Sequence, residues 1–187
     1  MERKRLRQLT LTAIMIAFGV VLPILFHSIP KAGMIFCPMH LPVLLCGLLC
    51  GPWFGLAGGL LTPLLSSLIT GMPPAGPVVY SMIIELGVYG LIAGLIFKYV
   101  RTKSLVADIY IALVVAMLAG RIVNGLVHAL IFTGGGDYSF SVWLTSSFVT
   151  CLPGIILHLI FVPLLYGILR KAKLIPEREP KEKKTEA

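Results

Sequence analysis

Along the chain, long apolar runs are separated by short interruptions that are basic, or rich in proline and glycine. Six runs are predicted as helices: about Leu9–His27, Met39–Gly51, Trp53–Thr70, Val78–Tyr99, Ser104–Thr133 and Ser141–Leu169. The second is short, carries Pro42, and is ended by Gly51-Pro52. Residues 28–38 hold Pro30, Gly33 and Pro38, and are predicted as a loop that is a candidate for a re-entrant segment. The stretch Gly71-Met72-Pro73-Pro74-Ala75-Gly76-Pro77 cannot be regular, because proline lacks an amide donor and clashes with the preceding turn. Gly134-Gly135-Gly136-Asp137 is predicted as a flexible turn, and the charged tail beyond Arg170 as disordered.

Composition turns these helices into membrane spans. The 187 residues are 57% hydrophobic and only 13% charged, with a mean hydropathy of +0.94. A soluble fold of this size exposes too large an exterior to hide that much apolar surface, whereas in a bilayer the exterior faces lipid. About 20 residues per span leave room for six helices and no separate soluble domain. The expectation is an all-α integral membrane protein, a compact six-helix transmembrane bundle over residues 1–170, with a charged cytoplasmic tail over 171–187. The first thirty residues resemble a signal peptide but lack a small-x-small cleavage site, so they are read as a retained first helix.

The net charge of +8 would point to nucleic acid in a soluble protein; here it describes topology. Four basic residues precede helix one, three lie between helices four and five (Lys98, Arg101, Lys103), and seven lie from Arg170 to the end of the tail. With an even number of spans these fourteen of the sixteen Lys and Arg fall on one side, leaving Lys31 opposite and Arg121 within a span. That bias predicts cytoplasmic N- and C-termini. The irregular loops then face outward. Such backbone is tolerated at membrane depth where it lines a cavity or is buried in protein, so a lidded site opening outward is expected, with Met72, Pro73 and Pro74 in the lid.

Polar residues inside spans are the candidates for chemistry. Glu85 lies two turns into helix four. Arg121, Asn124 and His128 share one face of helix five, at i, i+3 and i+7. Glu85 comes level with Asn124, roughly 10 Å below the outer surface at the helical rise. Two readings stand: Glu85 and Arg121 pair with each other to fix the helices, or one or both bind a polar ligand. Tyr89, one turn beyond Glu85, either completes that wall or packs on a neighbouring helix. Tyr80 and Trp143 either belong to the interfacial aromatic belt or stack on a heterocyclic ligand. His40 is expected to face the cavity mouth, His158 to be a core histidine, and His27 to be interfacial. Cys37, Cys46, Cys50 and Cys151 read as packing residues, with no spacing that suggests metal or a disulfide. Small residues four apart, Gly47, Gly51, Gly55 and Gly59, then Gly90 and Gly94, suit close helix approach.

No phosphate-cradling glycine loop, zinc-protease motif, nucleophile elbow or acidic cluster is present, so no ATP hydrolysis, catalytic set, metal or cofactor is expected of this chain. The alternative is a stand-alone proton-coupled transporter using Glu85, although the chain lacks the inverted-repeat pattern of equal halves.

Two segments carry a resemblance. Ala13-Ile14-Met15-Ile16-Ala17 lies near the cytoplasmic end of helix one. Phe36-Cys37-Pro38-Met39-His40-Leu41-Pro42-Val43-Leu44-Leu45-Cys46-Gly47 is followed by Leu49-Cys50-Gly51-Pro52-Trp53-Phe54-Gly55 and Gly58. With the small size and six spans, the chain from about Leu9 to Leu169 resembles the substrate-binding (S) component of energy-coupling factor (ECF) vitamin transporters. The resemblance implies capture of a vitamin or precursor from outside, in a pocket under the first, third and fifth loops and between helices four to six. It implies toppling against a transmembrane coupling subunit driven by two cytoplasmic ATPases, with Ala13 and Ala17 as the coupling contact, in the plasma membrane of a prokaryote. The ligand-facing set is then Glu85, Arg121, Asn124, His128, His40, Tyr80, Tyr89 and Trp143.

Overall fold

A computed structural model describes residues 2–26, 32–74, 76–132 and 140–172. His27, Lys31, the triple-glycine turn and the tail beyond Ala172 lie outside the described residues. The chain forms α1 (Glu2–Leu25), α2 (Ala32–Phe36), α3 (His40–Cys50), α4 (Pro52–Thr70), α5 (Pro77–Tyr99), α6 (Leu105–Phe132), α7 (Phe140–Leu144), a π-helical segment (Thr145–Thr150) and α8 (Leu152–Lys171). No strand occurs among the described residues, and six helices there are long and apolar enough to cross a membrane, α2 and α3 together making the second.

The expected helices are all found, with three differences. First, α1 begins at Glu2 rather than Leu9. Its basic first turns are good helix formers, and Glu2 complements the positive end of the helix dipole. Second, the expected loop before helix two contains α2; the chain then turns at Cys37, whose φ is +45°. Third, helix six is not continuous from Ser141 to Leu169. It is broken into α7, the π-helical segment and α8, with a turn at Cys151. Pro153 has no amide proton for the carbonyl of Val149, so an unbroken ladder cannot pass this point. Pro42 does no such damage in α3, because it lies in the first turn, where backbone amides have no intrahelical acceptor.

All eleven residues of α3 are buried, making it the axis of the bundle. Glycines let α3, α4 and α5 close together. A Cβ at Gly47 or Gly55 would collide with the carbonyl of Gly90, and one at Gly90 with the carbonyl of Gly55. These helices meet backbone to backbone, the arrangement that small-residue faces permit where hydrophobic exclusion cannot drive association. Gly51, at φ +92°, makes the corner between α3 and α4 and leaves Pro52 at the start of the next helix, where its fixed φ fits. Nearby, Gln8 of α1 donates its amide to the Cys50 carbonyl at 3.0 Å.

Gly90→Val is expected to destabilise the bundle by about 1–3 kcal/mol or prevent assembly, because backbone on the opposing helix cannot move aside. Gly167→Ala, where a Cβ meets nothing within 4 Å, is expected to be neutral or mildly stabilising. Melting temperature in detergent and elution profile check both. Equal behaviour of the two variants refutes the close-packing account.

At the opposite end, the interruption after α4 is tied back onto its own helix. Ser66 donates to the Met72 carbonyl (2.7 Å), Ser67 to the Pro73 carbonyl (2.8 Å) and Thr70 to the Met72 carbonyl (3.2 Å). Gly71, at φ +72°, supplies the left-handed cap. Any movement of Met72 and Pro73 must therefore break these bonds or carry the end of α4 with it.

Candidate functional site

On α5, Ser81, Glu85 and Tyr89 recur every four residues and are all buried. They face the α6 stripe of Arg121, Asn124 and His128, as the spacing along both helices requires. Close approach of α5 and α6 is set by Gly120, where a Cβ would fall 2.9 Å from the Tyr89 ring and 3.3 Å from the Glu85 carbonyl. From α3, His40 enters the same region at the helix start, and from α8 comes His158.

Glu85 is the centre. Asn124 Nδ2 donates to Glu85 Oε2 at 2.7 Å, while His40 Nε2 stands 3.7 Å from Oε1. The His40 ring lies edge-on to Tyr89 (centroids 5.1 Å apart, 81° between planes) and stacks on His158 at 6.1 Å. His158 in turn donates from Nε2 to the Cys37 carbonyl at 3.2 Å. It thereby anchors the tight corner that launches α3. His158 is buried, as expected of a core histidine, but its stacking makes it a support for His40. Towards the loops, His128 Nδ1 is 3.1 Å from the Asn124 carbonyl. A carbonyl only accepts, so Nδ1 donates to it, while Nε2 stands 3.5 Å from Ser81 Oγ, whose hydroxyl donates to the Val78 carbonyl at 2.9 Å.

Arg121 does not form the ion pair with Glu85 that was one of the two sequence readings. Among the described residues, no carboxylate oxygen lies within 4.0 Å of its guanidinium. The partners of Glu85 are one turn further along α6 and across on α3. Arg121 instead lies over the Phe148 ring, 5.4 Å from its centroid, and Phe148 meets Trp143 edge-on at 5.7 Å. Trp143 donates its indole N–H to the Arg121 carbonyl (3.2 Å) and sits against Gly125, where any side chain would strike the indole. Trp143 is therefore engaged with α6 beside the cluster.

Among the described residues, three buried polar side-chain atoms find no hydrogen-bond partner: Tyr89 Oη, His40 Nδ1 and Arg121 Nε. Their residues are 1%, 6% and 5% exposed. Buried polar groups are paired in the great majority of cases, and three unpaired ones on neighbouring residues mark one place where polar contacts are still to be made.

Tyr80 is not part of this cluster. It is 63% exposed on the outside of α5, because it precedes Ser81 by one residue and so points about 100° away from the Ser81–Glu85–Tyr89 face. The aromatic-belt reading is the one that fits it. Met72 and Pro74 are exposed in the connection between α4 and α5, and Ala13 and Ala17 are exposed on α1.

Ser81 and Phe148 were not anticipated from the sequence. Ser81 precedes Glu85 by four residues, and that spacing was the one signal that pointed to it. Phe148 lies in the π-helical segment, whose turn is wider than 3.6 residues, so helical-face counting through it fails. The cysteines also do more than pack. Cys37 and Cys151 bring their sulfurs to 3.5 Å, and both thiols reach the Met34 carbonyl, at 3.3 and 3.0 Å. They clasp the α2–α3 corner to the break before α8. Gly154 lies there with room only for hydrogen against the carbonyls of Ile35 and Phe36.

The fold and cluster define a class: a small multi-pass helical membrane protein with one buried, incompletely paired polar site. The family described as ECF transporter, substrate-specific component, matches residues 7–166, and the chain belongs to that family. No curated protein matches the chain. Proteins of this family are substrate-binding transporter components rather than enzymes, in keeping with the resemblance seen from Leu9 to Leu169.

Proposed function

We propose that this chain captures a vitamin or vitamin precursor outside a prokaryotic cell and releases it inward. On this reading it does so by docking onto a transmembrane coupling subunit driven by two cytoplasmic ATPases. The ligand contacts Glu85, Arg121, Asn124, His128, His40 and Tyr89, Trp143 borders it, and Met72, Pro73 and Pro74 belong to the cover. The observation that carries the reading is that, among the described residues, the buried polar atoms left unpaired are on Tyr89, His40 and Arg121 beside Glu85, whereas the buried hydroxyls of Thr12, Thr62 and Ser66 elsewhere in the bundle are hydrogen-bonded.

Reconstitution tests it. Proteoliposomes holding this chain with a coupling subunit and its two ATPases are expected to accumulate radiolabelled vitamin only with internal ATP. Accumulation by this chain alone, abolished when the proton gradient is collapsed, would instead favour the stand-alone proton-coupled transporter using Glu85.

A further inference from the structure

We propose that the ligand of this site is a small monoanion whose carboxylate is received by Arg121, with a hydrogen-bonding group at its other end meeting Tyr89 and His40. The proposal deepens the functional reading above and rests on it: the cluster is taken to be the substrate site.

Arg121 carries the argument. The residue is 5% exposed, its Nε has no partner, and no carboxylate among the described residues lies within 4.0 Å. A guanidinium is always charged and offers donors in a planar fork that matches a carboxylate or phosphate. The Phe148 face, 5.4 Å away, attracts the cation but supplies no oxygen acceptor. An unpaired charge inside a membrane span normally faces a partner charge, water or a pathway. Glu85 is not that partner in this structure: its oxygens meet Asn124 and His40, and neither lies within 4.0 Å of the guanidinium.

Charge count selects the class of anion. Arg121 presents one fixed positive charge, which a monoanion matches. A phosphate dianion would exceed it. The far end follows from the other orphans. Tyr89 Oη can donate or accept, and His40 Nδ1 can do either according to tautomer, so a hydroxyl, amide or ring nitrogen would satisfy them. The backbone of Arg121 is braced where the anion would arrive, since its carbonyl accepts from Trp143 and that indole is seated on Gly125.

The test uses the full chain in nanodiscs and thermal-shift titration with paired probes: nicotinate and nicotinamide, pantothenate and pantothenol, biotin and biotin amide. Riboflavin and thiamine serve as ligands without a carboxylate, and pyridoxal phosphate as a phosphate. Mass spectrometry of small molecules released on denaturation runs alongside. A carboxylate is expected to stabilise the protein, with its neutral counterpart on the order of 100-fold weaker, as for loss of one partner of a buried charge pair. Arg121→Met is expected to abolish that preference, and Arg121→Lys to keep part of it. Melting of the ligand-free variants separates a folding defect from a binding one. Equal binding of a neutral counterpart, preference for a ligand without a carboxylate or for the phosphate, or a preference that survives Arg121→Met overturns the monoanion and leaves the substrate site standing. No stabilisation by any probe together with no released molecule refutes the substrate site and the monoanion with it.

Discussion

Glu85→Ala is expected to weaken ligand binding on the order of 100-fold, a loss comparable with that of Arg121→Met, because it releases Asn124 and His40 from the positions in which they meet the ligand. The carboxylate joins three helices at once: α5 carries it, Asn124 of α6 donates to one oxygen, and His40 of α3 stands 3.7 Å from the other. Alanine leaves the Asn124 amide without its acceptor inside the bundle, which costs about 1–3 kcal/mol of stability in addition. Glu85→Gln separates these effects. Its amide oxygen still accepts from Asn124, so the melting temperature should fall by less than in the alanine variant. Its amide nitrogen then faces His40 Nε2 in place of a carboxylate oxygen, so binding should still fall at least tenfold. Calorimetric titration and thermal melts of both variants check this. Glutamine matching wild type in both respects would show that Glu85 acts only as a hydrogen-bond acceptor between helices.

Much of this arrangement is legible in the order of residues. Regular helices carry their faces in the spacing of their residues, so Arg121, Asn124 and His128 could be placed on one stripe, and Glu85 level with it. The spacing Gly47, Gly51, Gly55 and Gly59 likewise announced a close helix contact, and the backbone collisions at Gly55 and Gly90 give it a partner. The unreadable part has a common physical origin. Pairing across helices depends on rotation and depth to within a few ångströms, which spacing on one helix does not set. Hence the sequence left open whether Glu85 and Arg121 pair with each other, while the neighbours of Glu85 are Asn124 and His40. The break at Cys151 had a visible cause in Pro153, yet nothing local announced the π-helical segment ahead of it, and so Phe148 went unplaced. Cys37 and Cys151 meet only because the α2–α3 corner and the start of α8 fold together, a contact 114 residues apart in sequence.

The two parts of the bundle are built differently, and the contrast bears on how a binding subunit could move as a unit. Around the polar cluster, α3 to α6 are joined by close backbone approach and by hydrogen bonds through Glu85, so the site is carried on a rigid frame. Helix α1 is peripheral by comparison. Only Thr12, Met15, Gly19 and Val20 are buried there, while Ala13, Ile14, Ala17, Phe18 and Val21 are exposed.

That division leads to the other large effect. Ala13→Leu with Ala17→Leu is expected to abolish ATP-driven uptake and to lower co-purified coupling subunit at least tenfold, with ligand affinity unchanged. Both positions face away from the bundle, so no internal packing opposes a larger side chain. If lipid were their only neighbour, leucine would be tolerated or mildly favourable, since it inserts into a bilayer with a gain of about 0.3–0.6 kcal/mol. A large functional loss therefore has one physical source, a helix of another subunit that needs the flat alanine surface to approach closely. Ala13→Gly with Ala17→Gly keeps the surface small and should preserve association, apart from a cost in helix propensity of about 1 kcal/mol per site. Co-purification from membranes, ligand titration and uptake are measured on the same preparations. Leucine variants that still recover the full complex and transport normally would remove α1 as the coupling contact. A parallel loss of ligand binding would show that the substitutions had disturbed the bundle instead.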